Sequence, residues 1–353
     1  MTAVVTATDG GDLDVETLPA LPGLGGLYAR GAASSGRIAA GRALPAIPGI
    51  GGGPAASEGV IALPRVAYRV AGVETARMGE HLRDYQRLLH EPGSDSLPAG
   101  FLHVLAFPLA TAVMVRGDFP LPLLGMVHLA NDVSLTRPVV LGERLEVRAW
   151  AENLRPHRRG VQVDLVAEVR VEDPSAAEPV LAWRGVSTYL AKGFQVPDAP
   201  GAAQGSSGAV SGTGSGAEGD REPEGAWVPP LPTGRWVLPA GTGRAYGAIS
   251  GDRNPIHMST LSAKAFGFPR AIAHGMYTAA RALAEVGPAR GATYRWTVEF
   301  ARPVLLPGTV DVAITPVDAT EGALDGAKPP GFTYLGWNSG RRTRHFTGTV
   351  TPL

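Results

Sequence analysis

The chain of 353 residues has no cysteine, no net charge and no long apolar run, and each absence excludes a class of protein. Without cysteine there is no disulfide framework, thiolate metal site or cysteine nucleophile. The 32 basic and 32 acidic side chains cancel, which argues against a nucleic-acid-binding protein. The longest apolar stretch, 101–115, is shorter than the roughly 18 residues of a membrane span and contains His103 and Pro108.

The N-terminal region also lacks the features of a secretory signal. It carries Asp9, Asp12, Asp14 and Glu16 and no early lysine or arginine. We therefore expect a soluble, cytoplasmic protein that binds neither nucleic acid nor a membrane.

Glycine and proline are abundant, with 47 and 31 residues, but they are unevenly distributed. Residues 199–226 are rich in Gly and Ser and hold one large aliphatic residue, Val210, which predicts a flexible linker. Residues 1–57 show no sustained hydrophobic period and are predicted to form an irregular leader. Two blocks of similar size remain, 58–198 and 227–353, and we expect each to fold.

The two blocks resemble each other. Residues 135–142 read LTRPVVLG and residues 300–308 read FARPVLLPG, and each is followed by an alternating strand pattern. Such a repeat is informative about architecture, although Arg-Pro-Val turns can also recur by chance in a proline-rich chain.

Each block places an apolar helix before several strands. In the second block, apolar residues recur at helical spacing from Met276 to Ala284, and Gly287-Pro288 ends the pattern. In the first block, Pro108 is predicted in the first turn of a helix that runs to Val115. Strands are predicted near 126–136, 143–152, 160–171, 179–190, 293–301, 308–315, 331–338 and 343–350. This order predicts an α+β fold in which a curved antiparallel sheet wraps a long helix, twice over.

Three polar residues in a short segment, Asp252, Asn254 and His257, are the strongest sign of chemistry. Gly251 permits a tight turn and Pro255 restricts its neighbour to an extended conformation. The three side chains can therefore point at one place and hold one water molecule, with the imidazole as a proton-transfer group near neutral pH.

The start of the second-block helix, at 273–275, offers a complementary group. Backbone N–H groups at a helix start are free and carry partial positive charge, and Gly275 lets a ligand oxygen approach them. Such donors can stabilise a carbonyl oxygen that gains negative charge during a reaction.

Simpler interpretations remain open at this point. Asp and Asn are common in ordinary turns, and the two histidines could be structural. Asp252, His257 and His274 could also hold a metal ion, but no two of them share a helical face. Ser250 does not sit in a Gly-x-Ser-x-Gly elbow, so a serine hydrolase is disfavoured.

The segment from Tyr246 to Met276 resembles the signature of the MaoC-like hydratases and dehydratases, the (R)-specific enoyl-CoA hydratase 2 group. The residues that carry the resemblance are Ser250-Gly251-Asp252, Asn254-Pro255-Ile256-His257, Ala265, Gly267-Phe268, Ile272-Ala273-His274-Gly275-Met276 and the flanking 298–304. The first block, with HVLAFP at 103–108, looks like the degenerate half of members that contain two hotdog units.

The resemblance implies a double-hotdog fold and an enzyme of fatty acid metabolism, a hydro-lyase. The reaction would be reversible hydration of a trans-2-enoyl thioester to the (3R)-3-hydroxyacyl thioester. Asp252 and His257 would be the catalytic pair, Asn254 would help to hold the water, and the Gly275 N–H would stabilise the thioester oxygen. The second block would be catalytic, and the first block would help to house the acyl chain.

Further expectations concern ligands and assembly. Ser250 and His274 are expected beside the substrate, and Lys264, Arg270 and Arg295 could meet the phosphates of coenzyme A. No cofactor and no metal are expected, because coenzyme A is part of the substrate. The carrier could instead be acyl carrier protein. The protein would be a monomeric pseudo-dimer or a homodimer.

Two other functions are set against hydration. A hotdog thioesterase typically needs an acidic residue on the central helix, whereas this helix has none before Glu285. A non-catalytic subunit that binds acyl thioesters would not need the intact set of Asp252, Asn254 and His257.

Overall fold

A computed structural model of the protein describes residues 13–43, 62–173, 175–194, 227–317 and 331–353. The predicted linker at 199–226 lies outside these ranges. The strands are β1 (Asp14–Thr17), β2 (Val66–Glu74), β3 (Val127–Leu135), β4 (Arg144–His157), β5 (Gly160–Val171), β6 (Val180–Lys192), β7 (Gly234–Leu238), β8 (Tyr294–Phe300), β9 (Gly308–Pro316), β10 (Phe332–Asn338) and β11 (Thr343–Pro352). The helices are α1 (Leu24–Ala43), α2 (Gly79–Leu89), α3 (Ala99–Met114), α4 (Thr242–Ser250), α5 (Pro255–Met258), α6 (Thr260–Ala265) and α7 (Gly275–Val286).

All of the described strands form one sheet of 11 strands, in the order β1-β2-β4-β5-β6-β3-β8-β11-β10-β9-β7. The two halves of this sheet join where β3 pairs antiparallel with β8, for example Asn131 with Val298. Helix α3 packs on β4 and β5 in the first half, and α7 packs on β8, β9 and β11 in the second. The predicted α+β double hotdog is therefore confirmed.

Hydrophobic patterning explains why each sheet wraps its helix. Val310 and Val312 of β9 are fully buried, as the alternation predicts. Helix α7 buries Met276, Ala279 and Leu283 on one face, as the helical spacing predicts. Helix α3 is buried almost all round, which is typical of a helix at the centre of a core.

The predicted start of α3 near Pro108 is wrong. The helix begins at Ala99, where the carbonyl of Pro98 accepts the first N–H bonds from Phe101 and Leu102. Pro108 lies inside the helix and lacks a donor N–H. Burial of the surrounding turns outweighs that local cost, which sequence propensity alone does not show.

The prediction of an irregular leader is wrong for residues 14–17 and 24–43, which form β1 and α1. Strand β1 pairs in parallel with β2, and α1 buries Leu24 and Leu27 against Ala112 of α3. Strand pairing with β2 and the contacts of Leu24 and Leu27 thus attach this segment to the rest of the protein. None of the helices in the described ranges is long and apolar enough to cross a membrane.

Candidate active site

The turn after α4 delivers Asp252. Gly251 has φ +72°, a left-handed conformation that favours glycine. The Ser250 hydroxyl donates to the Tyr246 carbonyl over 2.9 Å and accepts the Asp252 N–H over 3.2 Å. Ser250, expected beside the substrate, is thus occupied within this turn.

Asn254 connects the turn to the short helix α5. Its N–H donates to Asp252 Oδ1 over 3.1 Å, and its side-chain oxygen accepts the Ile256 N–H over 3.4 Å. The side chain is therefore the N-cap of α5, with Pro255 at the first helical position. That Asn254 also holds a water molecule stays a prediction.

His257 and His274 stack beside the carboxylate of Asp252, with their ring planes 25° apart. Their ring centroids are 3.6 Å apart. Nδ1 of His257 lies 2.8 Å from the Ile272 carbonyl, and we assign the proton to it, so that Nε2 carries the free lone pair. Nε2 of His274 lies 2.9 Å from the Asp252 carbonyl and 3.7 Å from Oδ2.

Asp252, His257 and His274, called the trio below, therefore lie together, whereas the side chain of Asn254, the third residue expected at this point, caps α5. The ligand atoms of Asp252, His257 and His274 lie within 4.8 Å of one another, which is also a spacing that a metal ion could bridge. The expectation of no metal stays a prediction.

Helix α7 begins at Gly275, directly after His274. Its first N–H groups have no partner within the helix, and the residue before them, His274, is a member of the trio. A Cβ on residue 275 would lie 2.9 Å from Cζ of the Phe300 ring, so any other residue at this position would require the ring to shift.

The charge state of the site follows from burial and neighbours. Burial, together with the neighbouring His274, lowers the pKa of His257 to about 3, while Asp252 and the Ile272 carbonyl act in the opposite direction. Burial would raise the pKa of Asp252, but His274, His257 and the hydrogen bonds from Tyr28 and Asn254 hold it below its ordinary value. Near neutral pH the site therefore pairs a carboxylate with an uncharged imidazole.

Comparison with known proteins identifies the family. The MaoC like domain matches residues 238–327. The 3-hydroxyacyl-thioester dehydratase X of Mycobacterium tuberculosis is 33% identical over 259 residues, which are 73% of this chain and 80% of that protein. The chain belongs to the MaoC-like dehydratase family. It is accordingly an enzyme, a hydro-lyase.

Other relatives agree with this membership in the MaoC-like family. The crystal structure of HtdX of M. tuberculosis has a TM-score of 0.62 and 29% identity, covering 81% of this chain and 100% of that one. A 3-hydroxybutyryl-CoA dehydratase of Methylorubrum extorquens is 41% identical over 73 residues, or 20% of this chain and 46% of that protein. A MaoC-like dehydratase of Phytophthora capsici shares the fold, with a TM-score of 0.51 at 18% identity, covering 81% of this chain and 94% of that one.

Sequence reasoning missed several residues of this MaoC-like site, all from outside the second block. Tyr28 of α1 donates a hydrogen bond to Asp252 Oδ1. His103 of α3, and His128 and Tyr189 of β3 and β6, lie close enough to interact electrostatically with Asp252. Burial lowers the pKa of His103 to about 4 and that of His128 to about 3, so both are uncharged near neutral pH.

A signal for Tyr28 was present in the sequence. Leu24, Leu27, Tyr28 and Gly31 recur at i, i+3, i+4 and i+7, which is helical spacing. No local pattern marks His128 or Tyr189, because each is an ordinary position of a strand.

The three predicted phosphate-binding residues have different surroundings. Lys264 is exposed on α6, and Arg295 of β8 forms an ion pair with Asp132, its Nη2 lying 2.6 Å from Oδ2. In the described part of the chain, neither makes a hydrogen bond or ion pair with the trio. Arg270 lines a surface cavity together with Arg302 and Arg341. Substrate binding by Lys264, Arg270 and Arg295 stays a prediction.

Proposed function

We propose that this enzyme catalyses the reversible hydration of trans-2-enoyl thioesters to (3R)-3-hydroxyacyl thioesters. The observation that carries the proposal is that Asp252 and His257 meet at the N-terminal end of α7. One end of the site can activate a water molecule, and the other can polarise a carbonyl. The names of the two dehydratase relatives support the same chemistry.

The reaction needs one water molecule and a place for negative charge. A water held between Asp252 Oδ2 and His257 Nε2 loses a proton to this pair, and its oxygen forms a bond with C3 of the substrate. The electron pair of the C2–C3 double bond moves to the thioester oxygen, where the Gly275 N–H stabilises it. The proton then passes to C2, so that one water is added and the site returns to its starting state.

The pH dependence follows from the two lowered pKa values. Asp252 and His257 accept a proton only when unprotonated, and both keep that form as the pH falls because their pKa values lie below the ordinary ones. We expect kcat/KM for hydration to stay constant from about pH 8 to below the ordinary imidazole value of about 6.5. An acidic inflection at the ordinary imidazole value, measured on the wild-type enzyme, would contradict this charge state.

A thioesterase is the second enzymatic candidate, and the structure gives a reason to disfavour it. The acidic residue of α7, Glu285, accepts a hydrogen bond from Trp236 Nε1 over 2.5 Å and lies 3.5 Å from Arg281 Nε. It stands at the far end of the helix from His274 and is occupied there. Release of free thiol from an acyl-CoA, detected with a colour reagent, would revive this candidate.

We propose that the side chains activate water without a metal ion. Nε2 of His274 is already bonded to the Asp252 carbonyl, so a metal at the trio would have to displace that bond. We expect activity to survive dialysis against EDTA unchanged. Loss of activity that zinc or another divalent cation restores would instead assign a metal to the trio.

The acyl chain needs an apolar place near the site. We propose that α3 helps to house it, together with the small cavity lined by His103, Phe107, Trp183 and Tyr189. A panel of enoyl thioesters of increasing length, on coenzyme A and on acyl carrier protein, should show hydration of at least one series. If no member of the panel is hydrated and acyl-CoA still binds tightly, the protein is a non-catalytic binding subunit.

We propose that one chain is the working unit, with one active site. Both halves lie in one sheet joined at β3 and β8, and Asp252, His257 and Gly275 all come from the second half. Light scattering with active-site titration would test this, and a dimer with one site per two chains would overturn it.

A further inference from the structure

Helix α1 reaches the active site from more than two hundred residues away in the chain. Leu24 and Tyr28 lie four residues apart on one face of α1, and both contact the turn that carries Asp252. A Cβ on Gly251 would lie 2.9 Å from Leu24 Cδ1. The Tyr28 hydroxyl donates a hydrogen bond to Asp252 Oδ1 over 2.5 Å.

The two oxygens of the Asp252 carboxylate have different surroundings. Oδ1 accepts hydrogen bonds from the Tyr28 hydroxyl and the Asn254 N–H. Oδ2 lies 3.7 Å from Nε2 of His274 and, among residues that the structure describes, accepts no hydrogen bond. A carboxylate held through one oxygen presents the other in a fixed direction, which a proton acceptor for a bound water requires.

We propose that Tyr28 is a positioning residue of this site: its hydroxyl fixes Asp252 through Oδ1, so that Oδ2 faces the reacting water. The inference rests on the proposed hydration. Tyr28 itself does not exchange a proton, because burial and the adjacent carboxylate raise the pKa of its hydroxyl far above the ordinary value. It therefore remains a donor throughout the pH range of the reaction.

Other titratable groups surround Asp252, but their contacts differ from that of Tyr28. They are His103 of α3, His128 of β3, Tyr189 of β6, Tyr246 of α4, His257 of α5 and His274 before α7. Within the described ranges, Tyr28 alone donates a side-chain hydrogen bond to the Asp252 carboxylate. Its hydroxyl is thus the group to remove.

Tyr28→Phe removes this hydroxyl and keeps the ring. We expect kcat for hydration of trans-2-butenoyl-CoA to fall about tenfold with KM within about twofold, because hydrogen bonds to charged groups are among the strong ones. Tyr68→Phe is the matched control. Tyr68 packs against the same cluster of α1 and α3, but its hydroxyl accepts a hydrogen bond from Arg116 instead. The control should keep wild-type kcat.

A second readout does not need turnover. The titration of Asp252 can be followed by carboxyl carbon-13 NMR, with Asp252→Asn to assign the signal. The Tyr28 hydrogen bond favours the charged carboxylate, so Tyr28→Phe should raise the pKa of Asp252, and Tyr68→Phe should leave it unchanged. A residue with a merely structural role would lower the Tm without moving this titration.

The two readouts separate the possible failures. An unshifted Asp252 titration in Tyr28→Phe, or a kcat equal to that of Tyr68→Phe, would overturn the positioning role. Absence of turnover in the wild-type enzyme would overturn the proposed function. In that case a Tyr28-dependent titration would still support the contact with Asp252.

Discussion

Asp252→Asn should lower kcat for enoyl-thioester hydration by about a thousandfold, within the range by which positioned acid–base groups accelerate reactions. Asparagine keeps the shape of aspartate and can still accept the Tyr28 hydrogen bond, but it cannot take a proton from water. Hydration of trans-2-butenoyl-CoA, followed by loss of the enoyl absorbance, measures the effect. Circular dichroism and Tm show whether the fold is kept.

Asp311→Asn is the matched control for this substitution. Asp311 is also a buried acid of the second half, and it pairs with Arg235 over 2.6 Å and with the Ser339 hydroxyl. It lies on β9, and none of its hydrogen bonds involves the trio. This variant is expected to keep kcat within about threefold even if its Tm falls. An Asp252→Asn enzyme with more than a tenth of wild-type kcat would show that another group accepts the proton.

His257→Ala should lower kcat by about a hundredfold or more, because it removes the neutral imidazole that faces the water. It also leaves the Ile272 carbonyl without its donor, which costs about 1–3 kcal/mol of stability for a buried group. The measurement is therefore kcat at a temperature well below the Tm of the variant.

His345→Ala separates the two effects of the His257 substitution. His345 is equally buried and bonds a backbone carbonyl, that of Arg302, through Nδ1 at 3.1 Å. Its replacement should produce a similar loss of stability with little loss of kcat. If both histidine variants lose the same fraction of kcat for the same fall in Tm, the loss of activity reflects the loss of stability, and His257 has no chemical role.

The fold was predictable because its signals repeat along the chain. The strand alternation around Val310, the helical spacing around Met276 and the two Arg-Pro turns all indicate the same architecture. The start of α3 was not predictable from the sequence. The helix continues past Pro108 because burial of its other residues stabilises it more than the proline destabilises it.

The part of the site that comes from the second block was predictable because its residues lie close together in the sequence. Asp252, His257 and Gly275 lie within one short segment, in which glycine, proline and a helix start fix the backbone. Tyr28 and His128 reach the same place only through packing between distant elements. Helical spacing marks the face of α1 that holds Tyr28, but it does not show that this face contacts Asp252. The ion pair of Arg295 with Asp132 likewise joins residues far apart in the chain, and the sequence gives no local sign of it.

The most direct test of the proposed function is to follow the oxygen of water during turnover. The purified enzyme would be incubated with trans-2-butenoyl-CoA in oxygen-18 water, and the products separated and read by mass spectrometry. Hydration at Asp252 and His257 predicts an intact 3-hydroxybutyryl-CoA with one labelled oxygen at C3, and chiral analysis should show the (3R) form. Label found in a free carboxylic acid, or an unlabelled and unchanged enoyl-CoA, would contradict it.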